Sequence, residues 1–101
     1  MKPIRYHRLA LHEYQIEAGF YNNQQVGLGL EFQQEILAAQ QKISSNPQLY
    51  AAYKTTLCRG CPVDRFPFML YYVEFDDRIV IYGVVHHKRR PGYWLRRLRK
   101  P

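Results

Sequence analysis

No aspartate or glutamate follows Asp77, so the charge of this chain is lopsided. Up to Leu57, the basic residues Lys2, Arg5, Arg8, Lys42 and Lys54 are nearly balanced by Glu13, Glu17, Glu31 and Glu35. From Cys58 onward, ten basic residues face only Asp64, Glu74, Asp76 and Asp77, and the net charge of +7 belongs almost wholly to this half. Such asymmetry predicts an anionic partner, either a nucleic acid or an acidic protein segment.

Long apolar runs are also missing. Nothing approaches the ~18 to 20 consecutive apolar residues that a bilayer-spanning helix needs, which excludes a membrane helix. The opening MKPIRYHRLALHEY puts charges through any would-be signal-peptide core and offers no small-residue cleavage site. The expectation is a cytoplasmic protein with no membrane partner. Repeats and low-complexity linkers are absent as well, and 101 residues suffice for one core but not two, so residues 1–101 are read as a single domain.

Cysteine is scarce: Cys58 and Cys61 form one CRGC motif and there is no second CxxC. A tetrahedral zinc site needs four ligands, so His7, His12, His86 or His87 would have to complete it, and nothing in the spacing requires that. A thioredoxin-like redox pair wants its motif between a strand and a helix, whereas Pro62 leads into a strand. Two reduced thiols in a cytosolic loop, Cys58 to Asp64, is the reading, with no metal and no cofactor expected.

What is present organises into helices first and sheet second. Ile4 and Tyr6 alternate with Arg5 and His7, a short opening strand behind Pro3. From Ala10 the period changes: Leu11, Tyr14, Ala18 and Tyr21 share one helical face to about Gly19 or Phe20, with no Ser, Thr, Asp or Asn to cap the start, until Asn22-Asn23 breaks the pattern. A second helix carries Leu28, Phe32, Ile36, Ala39 and Ile43 on one face and Glu, Gln and Lys on the other, ending at Ser44-Ser45-Asn46-Pro47. A short connection makes the pair an antiparallel hairpin.

After Pro47 the pattern predicts strands over Tyr53 to Arg59, Phe68 to Phe75 and Arg78 to His86, the last two joined by a two-residue Asp76-Asp77 turn. Both faces of FMLYYVEF and IVIYGVV are mostly apolar, as in strands covered on two sides. One face is expected to take the helix hairpin, the other the C-terminal tail or another protein. Within that tail, Trp94, Leu95 and Leu98 line one side of a possible helical turn that folds back over the sheet.

The stretch VVHHKRRPGYW contains the elements of phosphate chemistry. Cleaving RNA through its 2′-hydroxyl needs a base, an acid and cations around the phosphorane. His86 or His87 fits the first two roles, Arg59, Arg65, Lys88, Arg89 and Arg90 the third, and Tyr93 and Trp94 suit stacking on a base. The bland alternative is a solvated strand end followed by a packing tail that still presents Arg96, Arg97 and Arg99 outward.

The order of strand, helix hairpin and three strands, with LALHEYQIEAGFY, GLGLEFQQEILAAQQKISSNPQLY and RFPFMLYYVEFDDRIVIYGVVHHKRRPGYW, resembles the RelE/ParE superfamily of type II toxin-antitoxin toxins, especially its ParE-like, plasmid-stabilisation branch. The resemblance covers nearly the whole chain. It implies an α+β fold: an N-terminal strand, the hairpin, then three antiparallel strands forming one sheet and a short tail. It also implies a toxin held inactive in a hetero-oligomer by a cognate antitoxin that wraps its helices and sheet.

Two targets occur in the superfamily. ParE-like members poison DNA gyrase, which here would make the basic segment Lys88, Arg89, Arg90, Tyr93, Trp94, Arg96, Arg97 and Arg99 the effector surface. RelE-like members cut mRNA on the ribosome, which would make Lys54, Arg59, Arg65, His86 and Tyr93 a catalytic set converging on one sheet face. The lysine-rich central strand common among strong nucleases is missing, since Lys54 stands among Tyr53, Thr55 and Thr56, so the gyrase reading leads and the endoribonuclease is the alternative.

Overall fold

The computed structural model describes residues 1–99. The chain runs β1 (Ile4–Tyr6), α1 (Arg8–Gln24), α2 (Leu28–Ser45), β2 (Arg59–Pro62), β3 (Phe68–Glu74), β4 (Ile79–His86) and a C-terminal 3₁₀ segment, Leu95–Arg99. One four-stranded sheet has the order β1-β4-β3-β2. The last three strands are antiparallel, and β1 lies parallel to β4 with Ile4 opposite Ile79. The helix hairpin carries the chain from β1 at one edge of the sheet to β2 at the other, and β2 and β3 complete the connection to β4. No helix among the described residues is long and apolar enough to cross a membrane.

The stripe on α2 is the one its spacing predicts: Phe32, Ile36, Ala39 and Ile43 are buried against Phe68, Leu70, Tyr72, Ile79 and Ile81. The ring of Phe32 lies 5.2 Å from each of the rings of Tyr21, Phe66 and Phe68. Gly29 lets the helices meet closely, because a Cβ there would sit 2.5 Å from the carbonyl oxygen of Ala18.

Several local expectations are corrected. α1 runs through Asn22-Asn23 to Gln24, and the Asn22 side chain accepts the Gly27 N–H at 3.2 Å, tying the connection instead of ending the helix. Its start is capped after all, by Nδ1 of His7 accepting from the Leu9 N–H at 3.1 Å. Leu11, placed on the inner face, is exposed, and Ala10 is buried in its stead.

The strand expected over Tyr53 to Arg59 begins only at Arg59, so CRGC enters the sheet and is not a loop. Local bonds win in the preceding segment: the Thr56 hydroxyl donates to the Tyr53 carbonyl at 2.7 Å and accepts the Cys58 N–H at 3.1 Å. Lys54 there turns the backbone left-handed, at φ 51°. The Asp76-Asp77 turn stands as expected, closed by the Phe75 N–H to the Arg78 carbonyl at 2.7 Å.

The second face of the sheet carries its own cluster of Cys58, Val73, Val80, Tyr82, Val85 and Trp94. Tyr53, Tyr71, Tyr93, Leu95 and Leu98 pack around it, so the tail does cover that face.

Candidate functional site

The tail is held by one carboxylate. Glu13 on α1 accepts both guanidinium nitrogens of Arg97 at 2.9 Å, the Val84 N–H at 3.0 Å and the hydroxyl of Tyr93. Arg97 also donates to the Tyr82 carbonyl at 3.0 Å. With side-chain exposures of 10% and 13%, Arg97 and Glu13 form a nearly buried bidentate pair, whose geometry and extra hydrogen bonds offset the desolvation of both charges.

A shift in the ladder explains the backbone contact. Tyr71 pairs with Gly83 but Tyr72 with Ile81, so Tyr82 is an extra residue, a bulge that bends β4 just before Val84. Burial first, and the bond to Glu13 next, push the Tyr93 phenol well above its ordinary range, so it remains a neutral donor.

This anchorage swings the segment 86–92 across the end of the sheet. The Lys88 N–H bonds Nδ1 of His86 at 3.0 Å, the Arg89 N–H bonds the His86 carbonyl at 3.0 Å, and the His87 N–H bonds the Pro67 carbonyl at 2.9 Å. Gly92, at φ 75°, then turns the chain so that Trp94 enters the second core. A pocket of about 200 Å³ opens between this loop and the sheet, lined by Tyr53, Met69, Tyr71, Val85 and Trp94 of the sheet side and by His86, His87, Arg89, Pro91 and Gly92 of the 86–92 segment. Tyr71 stacks on Trp94 with ring centres 4.2 Å apart, and Tyr53 meets both rings edge-on.

The residues assigned to an effector surface divide in two. Lys88, Arg89, Arg90, Arg96 and Arg99 are exposed, and no carboxylate lies within ion-pair distance of any of them among the described residues. Arg89 packs over the Tyr93 ring at 4.2 Å. Tyr93, Trp94 and Arg97 turn inward and act as struts; Trp94 is 1% exposed.

The would-be nuclease set does not converge on one sheet face. Arg59 stands opposite Tyr72 on the edge strand and donates to the Tyr50 carbonyl at 2.7 Å. His86 stands opposite Phe68, four positions away along β3 and on its far side, which at ~3.3 Å per residue separates the two by more than a phosphate can bridge. Arg65 bonds Glu31 at 2.6 Å and reaches Glu35 at 3.6 Å, at the start of α2. It lies in the turn before β3, not on the strand. Lys54 sits exposed in the Tyr53 turn, and the Tyr93 hydroxyl belongs to Glu13. His86 is held edge-on to Phe68 at 5.0 Å, with its Nδ1 already accepting the Lys88 N–H.

The two thiols are separated by the sheet. Cys58 belongs to the tail-side cluster and Cys61 to the helix-side cluster, both fully buried. Burial pushes the Cys58 thiol up to about 12 and raises that of Cys61 as well. No group of three or more His, Cys, Asp or Glu side chains gathers among the described residues.

Sequence reasoning missed Glu13, Tyr53 and Tyr71. Glu13 read as one more charge in a balanced half; the available signal was its position three residues after Ala10, at the border of the buried stripe. Tyr53 and Tyr71 read as strand residues, and only the docked tail makes them the wall of a pocket.

No family model and no curated sequence matches this chain. Its fold is shared with a solved chain described as the chromosomal ParDE TA system from P. aeruginosa, at a TM-score of 0.71 and 17% identity, over 85% of this chain and 96% of that one. The fold implied by the resemblance is thus the fold found.

Proposed function

We propose, from that shared fold, that this chain is the toxin of a type II toxin-antitoxin pair, ParE-like, which arrests growth in the cytoplasm by poisoning DNA gyrase and is neutralised in a hetero-oligomer with its cognate antitoxin. The observation that carries the reading is the docked tail. Glu13 spends one arginine and one tyrosine of the C-terminal segment on anchorage, and Lys88, Arg89, Arg90, Arg96 and Arg99 are left exposed, with no carboxylate partner among the described residues. A rigid basic ridge of this kind suits an inhibitor that acts by binding, where electrostatic complementarity sets encounter and register.

Support over ribosome-dependent cleavage comes from the dispersal of Arg59, Arg65, His86 and Tyr93 among other partners, because proton transfer needs base and acid within ~2.6 to 3.2 Å of the reacting atoms. Support for an antitoxin comes from the outer side of the helix pair. Ile16, Phe20, Leu30 and Leu37 are each more than half exposed there, apolar area that a wrapping segment would bury.

Purified protein mixed with gyrase and supercoiled DNA is expected to trap cleaved complexes, and Arg89→Ala with Arg90→Ala to weaken trapping about tenfold. Undiminished supercoiling at excess protein removes the gyrase target. Growth arrest accompanied by message cuts in the ribosomal A site would replace it with the nuclease.

A further inference from the structure

We infer that the pocket bordered by the 86–92 loop is a nucleobase site, which takes one unstacked base of a single-stranded nucleic acid while the surrounding cations hold its phosphates. The inference deepens the gyrase reading, in which the protein meets DNA that the enzyme holds open, and names the part of that complex the pocket would grip.

Three features converge. The lining is largely ring and thioether, Tyr53, Tyr71 and Met69 with the nearly buried Trp94 stacked on Tyr71, together with Pro91 and Gly92. Such walls favour a flat apolar group, and base-on-aromatic contact tolerates any sequence because every base has a π-face. At about 200 Å³ the pocket admits a single ring system and is far too small for a helix or a strand.

The border carries only positive or neutral groups. Arg89 and His87, both exposed, are among the lining residues, exposed Lys88 and Arg90 adjoin them in the chain, and exposed Lys54 follows Tyr53. No acidic residue lines the pocket, and the carboxylate that stands behind the loop, Glu13, is already neutralised by Arg97. A flat ring joined to an anion is the chemistry of a nucleotide. An acidic peptide satisfies the cations equally, but makes no general demand for an aromatic lining.

Trp94 is the sole tryptophan of the chain and lines the pocket, so its emission reports occupancy. A fluorescein-labelled twelve-residue deoxythymidylate strand titrated by anisotropy is expected to bind about tenfold tighter than an abasic strand of the same length, as loss of one base stack predicts. Only the base-bearing strand is expected to quench Trp94, read with unlabelled strands. Arg89→Ala, an exposed change that spares the core, should weaken both strands and reduce the salt slope by roughly one phosphate contact, ~0.7 in log-log units.

Equal affinity for the two strands would leave only a cationic surface and overturn the site. A polyglutamate peptide that binds as tightly and quenches Trp94 as strongly would assign the pocket to a protein segment, and absence of binding at ~0.1 M salt would also end the proposal. Gyrase takes no part in this assay, so a protein that traps cleaved complexes yet shows no base preference loses the pocket and keeps its target.

Discussion

The two faces of the sheet are covered in different ways. On the helix side, 35 residues of helix, 17 in α1 and 18 in α2, press a regular apolar stripe onto alternating strand positions. On the tail side the short stretch from Tyr93 through the five-residue 3₁₀ segment does the same task with one large ring, Trp94, and one polar knot, Glu13 with Arg97 and Tyr93. The first cover is redundant, because many small contacts share the load. The second is concentrated, so a few substitutions should detach it while the rest of the fold stands.

The largest effects should come from the central ring of each face. Phe32→Ala and Trp94→Ala are each expected to cost about 3–5 kcal/mol, the range for emptying an aromatic core site. They should differ in reach: Phe32→Ala lowers the protection of every strand amide, whereas Trp94→Ala speeds exchange at Leu95 and Arg97 above all and leaves α2 protected. Equal loss of protection throughout the chain in both variants would mean that the two faces unfold as one unit.

Next comes the polar knot. Glu13→Ala leaves the nearly buried Arg97 charge without its partner and the Val84 N–H without its acceptor, for a cost of about 3 kcal/mol, the lower end for breaking a buried pair because both groups retain some exposure. The cysteines tell the faces apart. Both thiols are buried with their pKa values raised, so in the native protein both resist alkylation at pH 8. Glu13→Ala is expected to hasten labelling of Cys58, under the tail, well before that of Cys61, under the helices. Mass-mapped alkylation reads the order, and simultaneous labelling would contradict it.

The same thiol gives a pH test. The Cys58 value is raised from 9.0 to about 12, so the unfolded chain loses the proton first. Its contribution to stability is complete below pH 9 and drains away as pH rises toward 12. Cys58→Ala should flatten that part of the alkaline unfolding curve, measured by denaturant titration.

The smallest effect is expected at Lys54, whose φ of 51° places an ordinary side chain in the left-handed region. Lys54→Gly should relieve about 1 kcal/mol of local strain, offset in part by the entropy of a freer unfolded chain. Because this turn presents Tyr53 to the tail, the gain should register as slower exchange at Trp94 more than in α2.

The helix hairpin was legible because its signal is periodic: Phe32, Ile36, Ala39 and Ile43 recur at helical spacing whatever lies around them. The turn at Asp76-Asp77 was legible because two apolar alternating runs flanked it. The start of β2 was not, since Thr56 and Lys54 settle it through short-range bonds and a left-handed turn that no periodicity records. The candidate site was half legible. The basic residues and the aromatics of VVHHKRRPGYW could be read off directly, but which of them face solvent depends on Glu13, more than seventy residues away in sequence.

Length, charge asymmetry and apolar period belong to the chain itself, and these suffice to specify one helix pair, the β3–β4 hairpin and a cationic end, because each is a property of neighbouring residues. The assignment of Arg97 and Tyr93 to anchorage, of Arg89 and Lys88 to the surface, and of the two thiols to opposite sides was made by tertiary structure alone. Those choices turn on the bulge at Tyr82 and the carboxylate beneath it, where residues remote in the chain compete for one buried charge.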